Sequence, residues 1–65
     1  MTIAISPADV GRRVTVRRAG TDGFRDAVGV LESWQDGLLH VRKRDGTLVG
    51  IREETVVAAR VVAER

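Results

Sequence analysis

Two Asp-Gly dipeptides, Asp36-Gly37 and Asp45-Gly46, punctuate the middle of this sequence, each flanked by runs rich in aliphatic residues. Asp-Gly tolerates the positive φ angles that tight hairpin turns demand, so the pair commits the chain to antiparallel strands. Between them, Leu38-Leu39-His40-Val41-Arg42 reads as a strand with Leu39 and Val41 inward. After the second turn, Thr47 to Ile51 gives another, with Val49 and Ile51 inward.

The same alternation extends the pattern upstream. In Arg13-Val14-Thr15-Val16-Arg17, Val14 and Val16 face a core while Arg13, Thr15 and Arg17 face water. Ala19 to Gly23 is rich in turn formers and reads as a loop. A long strand runs from about Asp26 to Trp34, with Gly29 inside it. Glycine within a strand marks a bend or a close backbone approach. Val28 and Leu31 cannot share a face of a regular strand, so a bulge is expected near Gly29.

Residues 1–10 form a lead-in in which Ser6 caps one helical turn and Pro7 occupies its first position. Gly11 ends that turn and opens the domain, which spans residues 11–65. Near the other end, Glu53-Glu54-Thr55 predicts a short 3₁₀ turn before a last strand over Val56 to Val62. A helix over Arg52 to Arg65 is the competing reading, and the β-branched Val56, Val57, Val61 and Val62 argue against it. Five short strands with no helix of useful length make an all-β fold, a small five-stranded barrel.

Sixty-five residues allow one thin core. With no Cys and a single His, neither a disulfide nor a zinc site can staple it, so closure of the sheet must do so. The lack of Cys suits a reducing compartment. No apolar run approaches the roughly 20 residues that span a bilayer, and no basic-then-apolar signal pattern comes after Met1. The expectation is a cytoplasmic protein without membrane contact. A pI of 10.4 beside a net charge of only +2 reflects Arg dominance and the absence of Cys and Tyr. Net charge governs electrostatic reach, and +2 is weak.

The order of features resembles a known family. Gly11 to Arg18, then Asp26-Ala27-Val28-Gly29-Val30-Leu31-Glu32-Ser33-Trp34, Asp36-Gly37, Asp45-Gly46-Thr47 and Val56-Val57-Ala58-Ala59-Arg60 occur in sequence. This is similar to the SH3-like domain at the N-terminus of actinobacterial GNAT-type acetyltransferases. The resemblance spans Gly11 to Val62, with Arg52 standing where that family has Pro. It implies an SH3-like barrel and an accessory module, either a stand-alone relative or the front end of a longer chain, since these 65 residues hold no acetyltransferase domain.

Catalytic chemistry finds little support. GNAT enzymes cradle a pyrophosphate with Arg-x-x-Gly-x-Gly/Ala at a helix N-terminus. Arg17-Arg18-Ala19-Gly20-Thr21-Asp22 approaches that pattern, yet Asp22 would repel phosphate and no helix comes after it. His40 reads as a solvated strand residue with no Ser or Cys nucleophile beside it. Ser6 and Ser33 lie outside nucleophile-type turns, and Glu53 and Glu54 diverge. The expectation is a non-enzyme without cofactor or metal.

Binding is therefore the expected role. The basic residues fall into Arg12, Arg13, Arg17 and Arg18, and Arg42, Lys43 and Arg44. The only aromatics are Phe24, expected beneath the preceding loop, and Trp34, expected over one end of the barrel. Arg17, Phe24, Trp34, Arg42, Lys43 and Arg44 make up the candidate surface. A protein partner is favoured, either an acetyltransferase-type domain or a second copy docking through an apolar patch of Val30, Leu38 and Leu48. The alternative is weak single-stranded nucleic-acid binding, for which two aromatics and nine acidic residues are a poor platform. Without Tyr, the aromatic cluster that reads polyproline is missing.

Overall fold

The computed structural model describes residues 3–62, so the expected limits of the lead-in and of the domain, and the last residues of the competing helix, lie outside the described residues. The strands are β1 (Arg13–Gly20), β2 (Gly23–Gln35), β3 (Leu38–Lys43), β4 (Leu48–Arg52) and β5 (Val56–Val61). They form one antiparallel five-stranded sheet in the order β4-β3-β2-β1-β5. Short 3₁₀ turns occupy Pro7–Asp9 and Glu53–Thr55. The chain is all-β, and after Arg52 the described residues form a turn and a strand rather than a helix.

Alternation explains the core. Val14 and Val16 of β1, Leu39 and Val41 of β3, and Ile51 of β4 are buried as their spacing predicts. They meet Ala27, Leu31 and Ala59 in one apolar cluster, against which Trp34, Val49, Val56 and Val61 pack. The cluster joins Ile51 on one edge strand to Ala59 on the other, so both halves of the sheet share it. The lead-in contributes more than a cap. Ala4 N–H donates to Ala59 O at 2.8 Å, and Ile5 is buried in the cluster. Next to it, Ser6 and Asp9 form a reciprocal capping box on the first turn.

The hairpins obey turn chemistry. Asp36 and Gly37 both have positive φ, at 55° and 75°, as a two-residue mirror-type turn requires. The second turn closes with Gly46 N–H to Lys43 O at 2.9 Å, and Lys43 N–H to Thr47 O at 2.8 Å pins its far side. The expected loop at Ala19 to Gly23 is much tighter. Gly20 pairs with Gly23, leaving only Thr21 and Asp22 in the turn, and β2 begins three residues earlier than its apolar pattern shows.

The irregularity expected near Gly29 sits further along β2. Gly29 keeps regular register with Val14 on one side and Lys43 on the other. Ala27, Gly29 and Leu31 face inward, and Val28 is left 45% exposed. The register instead slips between Leu31 and Ser33, at Glu32. That bulge reverses the parity of the rest of the strand: Ser33 pairs with outward His40, and Trp34 pairs with buried Leu39.

Gly29 is needed for a different reason. A Cβ there would lie 2.1 Å from Arg42 O and 2.7 Å from its carbonyl carbon, both backbone atoms of β3. Gly29→Ala should therefore separate β2 from β3 and destabilise the fold by about 3 kcal/mol, at the upper end of overpacking penalties. Urea unfolding monitored by Trp34 fluorescence reads this; an unchanged midpoint would show that the strands can move apart freely.

Candidate functional site

The six candidate residues do not converge on one surface. Phe24 and Trp34 lie near opposite ends of β2, separated by about 30 Å of strand contour. Phe24, expected beneath a loop, is instead 57% exposed, because the loop that would cover it is a two-residue turn. Trp34 is half-buried against the core, and its Nε1–H donates to Glu53 Oε1 at 2.5 Å. Its ring and its polar atom are thus both engaged within the chain.

The arginines are similarly engaged. On the outer face of β1, Arg17 holds Asp26 with two parallel bonds, Nε to Oδ1 at 2.9 Å and Nη2 to Oδ2 at 3.2 Å. Arg42 on β3 does the same to Glu32, at 2.9 and 3.1 Å, and gives Nη1–H to Gly46 O. The fork geometry of guanidinium suits both carboxylates. Further pairs join Arg12 to Asp9, Arg25 to Asp22 and Arg52 to Glu54. Lys43 and Arg44 have no carboxylate within ion-pair distance among the described residues.

The expected apolar patch is broken. Val30, Arg42 and Leu48 lie in one cross-strand row, so the guanidinium stands between the two aliphatic side chains. Leu38 lies further along β3, beyond His40. Of the three, only Leu48 is well exposed, at 43%. A second shallow surface, about 440 Å³ in volume, lies on the outer side of β1 and β5 between Thr15, Ala58, Arg60 and the Arg17–Asp26 pair.

His40 has a neighbour that the linear sequence concealed. The bulge at Glu32 brings Ser33 Oγ to 3.0 Å from His40 Nδ1. Nucleophilic chemistry would also need a group orienting the imidazole. The carboxylate beside it, Glu32, is already held by Arg42. Among the described residues, no three His, Asp or Glu side chains gather as a metal site.

Another constellation does emerge. Extending the inward rows past the last apolar residue gives Val14-Val16-Arg18 on β1, Leu31-Gly29-Ala27-Arg25 on β2 and Leu39-Val41-Lys43 on β3. Arg18 and Arg25 are direct cross-strand partners. With Lys43 they border a groove of about 340 Å³ whose other walls are Ala27, Val49 and Asp26. Arg18 and Arg25 also border a second depression, whose walls include Asp22, Gly50, Arg52 and Thr55. Arg25 belonged to neither cluster in the linear sequence; counting parity beyond the core would have found it.

The ion pairs predict acid behaviour. Hydrogen bonds from Arg17 hold the Asp26 carboxyl below its ordinary pKa, and Arg42 does the same for Glu32. The Thr47 backbone N–H, at 2.9 Å, lowers Asp45. A depressed folded pKa contributes stability above the unfolded value, and that contribution is lost as pH falls through the folded one. Denaturant midpoints should therefore be flat near neutrality and decline below about pH 4. Asp26→Asn should make the decline shallower; an identical acid profile would show that the Arg17 pair contributes nothing. Comparison of the chain with protein-family models, curated proteins and solved structures found no match.

Proposed function

We propose that this chain is a non-catalytic interaction module whose sheet coils into an SH3-like barrel, and that its partner is a protein. The barrel reading draws support from the single core shared by the two edge strands and from the Arg18 Nη1–H bond to Gly50 O at 3.3 Å, which links β1 to β4. The order of strands and the 3₁₀ turn before β5 fit the same reading. An acetyltransferase-type domain is the partner class that the family resemblance suggests, with a second copy of the chain as the other candidate.

The observation that carries a protein partner over nucleic acid is the internal commitment of the residues a nucleic-acid platform would use. Arg17 and Arg42 are each held by a carboxylate with two bonds, and Trp34 packs on the core. Stacking platforms need aromatic faces free beside a basic track. Phe24 alone is open, and it sits at the far end of β2 from Trp34.

A ¹⁵N–¹H NMR titration with a mixed-sequence single-stranded oligonucleotide tests this choice. Any shifts at low salt should vanish at physiological salt, as counterion release dictates for purely electrostatic contacts. Saturable shifts at Arg17, Arg42 to Arg44 and the Trp34 indole that survived physiological salt would replace the protein reading with the nucleic-acid one. Sedimentation equilibrium over a range of concentrations separates the two protein partners, since a monomer throughout removes self-association.

A further inference from the structure

The groove at the mouth of the core contains two cations without a carboxylate in direct contact among the described residues, Arg18 and Lys43. Arg18 is half-buried, and its bond to Gly50 O is its one side-chain hydrogen bond among those residues. Lys43 is exposed and makes no direct ion pair there either, although its charge acts on Asp45 in the adjoining turn. The acidic side chains that border the second depression and the groove are already committed: Asp22 to Arg25 and Asp26 to Arg17. Partly desolvating a charge is unfavourable unless an opposite charge meets it, and a carbonyl dipole compensates only in part. Arg18 still has free N–H donors on its guanidinium after serving Gly50.

We propose that this groove receives an extended acidic segment of the protein partner, with separate carboxylates on Arg18 and Lys43. The proposal rests on the interaction-module reading and names the chemistry of the partner. Two features favour spaced carboxylates over a phosphate backbone. Asp22 and Asp26 interrupt the basic lining, which would repel a continuous polyanion. No aromatic residue lines the groove among the described residues, whereas Ala27 and Val49 offer apolar floor for the neutral side chains of a peptide. In an extended peptide, alternate residues point to the same side, so acidic and aliphatic positions separate cleanly onto two faces.

The probe is a fluorescein-labelled synthetic peptide alternating Glu and Val, titrated by anisotropy and, unlabelled, by ¹⁵N–¹H NMR. Shifts should concentrate on Arg18, Arg25, Ala27, Lys43, Val49 and Gly50. Lys43→Ala, an exposed change, should weaken the peptide about tenfold, the usual effect of one charge-assisted contact. Arg18→Met should weaken it further, while Arg18→Lys keeps the charge, loses the fork and lands between. Equal affinity of K43A and the parent would overturn the groove assignment, as would an absence of binding. Peptide shifts confined to Thr15, Arg17 and Ala58 would also overturn it while leaving the interaction module intact. An oligonucleotide that bound the groove more tightly at physiological salt would replace the peptide and overturn the protein reading as well.

Discussion

The close approach of β3 to β2 at Gly29 is the constraint on which the rest of the architecture depends. The first part of β2 pairs with β1, from Gly23 to Val30, and the second with β3, from Gly29 to Gln35. Gly29 and Val30 are paired with both neighbouring strands, and Leu31 pairs with Val41 on one side while bonding to Gly11 and Arg12 on the other. The strand changes partners there, and the β3 backbone presses where a side chain would stand. That handover lets edge strands four places apart in the sheet contribute to a single core. In a chain with no disulfide, the sharing has to supply most of the burial.

Regular alternation was legible from the sequence wherever a strand was short and its two faces differed in polarity. Val14 and Val16, Leu39 and Val41, the two Asp-Gly turns and the 3₁₀ turn at Glu53 belong to this class. What stayed hidden depended on contacts between strands. Val28 and Leu31 are both apolar, and nothing local says which is to be left in water. The pattern suggested an irregularity at Gly29, whereas the slip falls at Glu32, where register against β3 sets it. Ile5 was missed for the same reason, because its burial needs the pairing of Ala4 with Ala59 across nearly the whole chain.

The candidate surface was less legible than the fold, since charges were grouped by sequence proximity. Arg42, Lys43 and Arg44 are consecutive, yet Arg42 lies on the outer face with Glu32, Lys43 turns to the groove and Arg44 belongs to the turn. Arg18 and Arg25, separated by a hairpin, face each other directly. Clusters on a strand have to be counted on alternate residues, and clusters on a sheet across the register. Counted this way, five of the ten described basic residues meet carboxylates, and Arg18 and Lys43, distant in sequence, come to border one groove.

The pairing of β5 with β1 has a kinetic side. β1 with β2, β2 with β3 and β3 with β4 are hairpins whose partners lie a few residues apart at the turn, so each can close locally within microseconds. Val14 with Val61 and Val16 with Ala59 join segments from opposite ends of the described chain. Their loop-closure entropy is overcome only after the three hairpins have shortened the path between them. The long-range pairing of β5 should therefore make the whole sheet slower to form than its three hairpins taken alone.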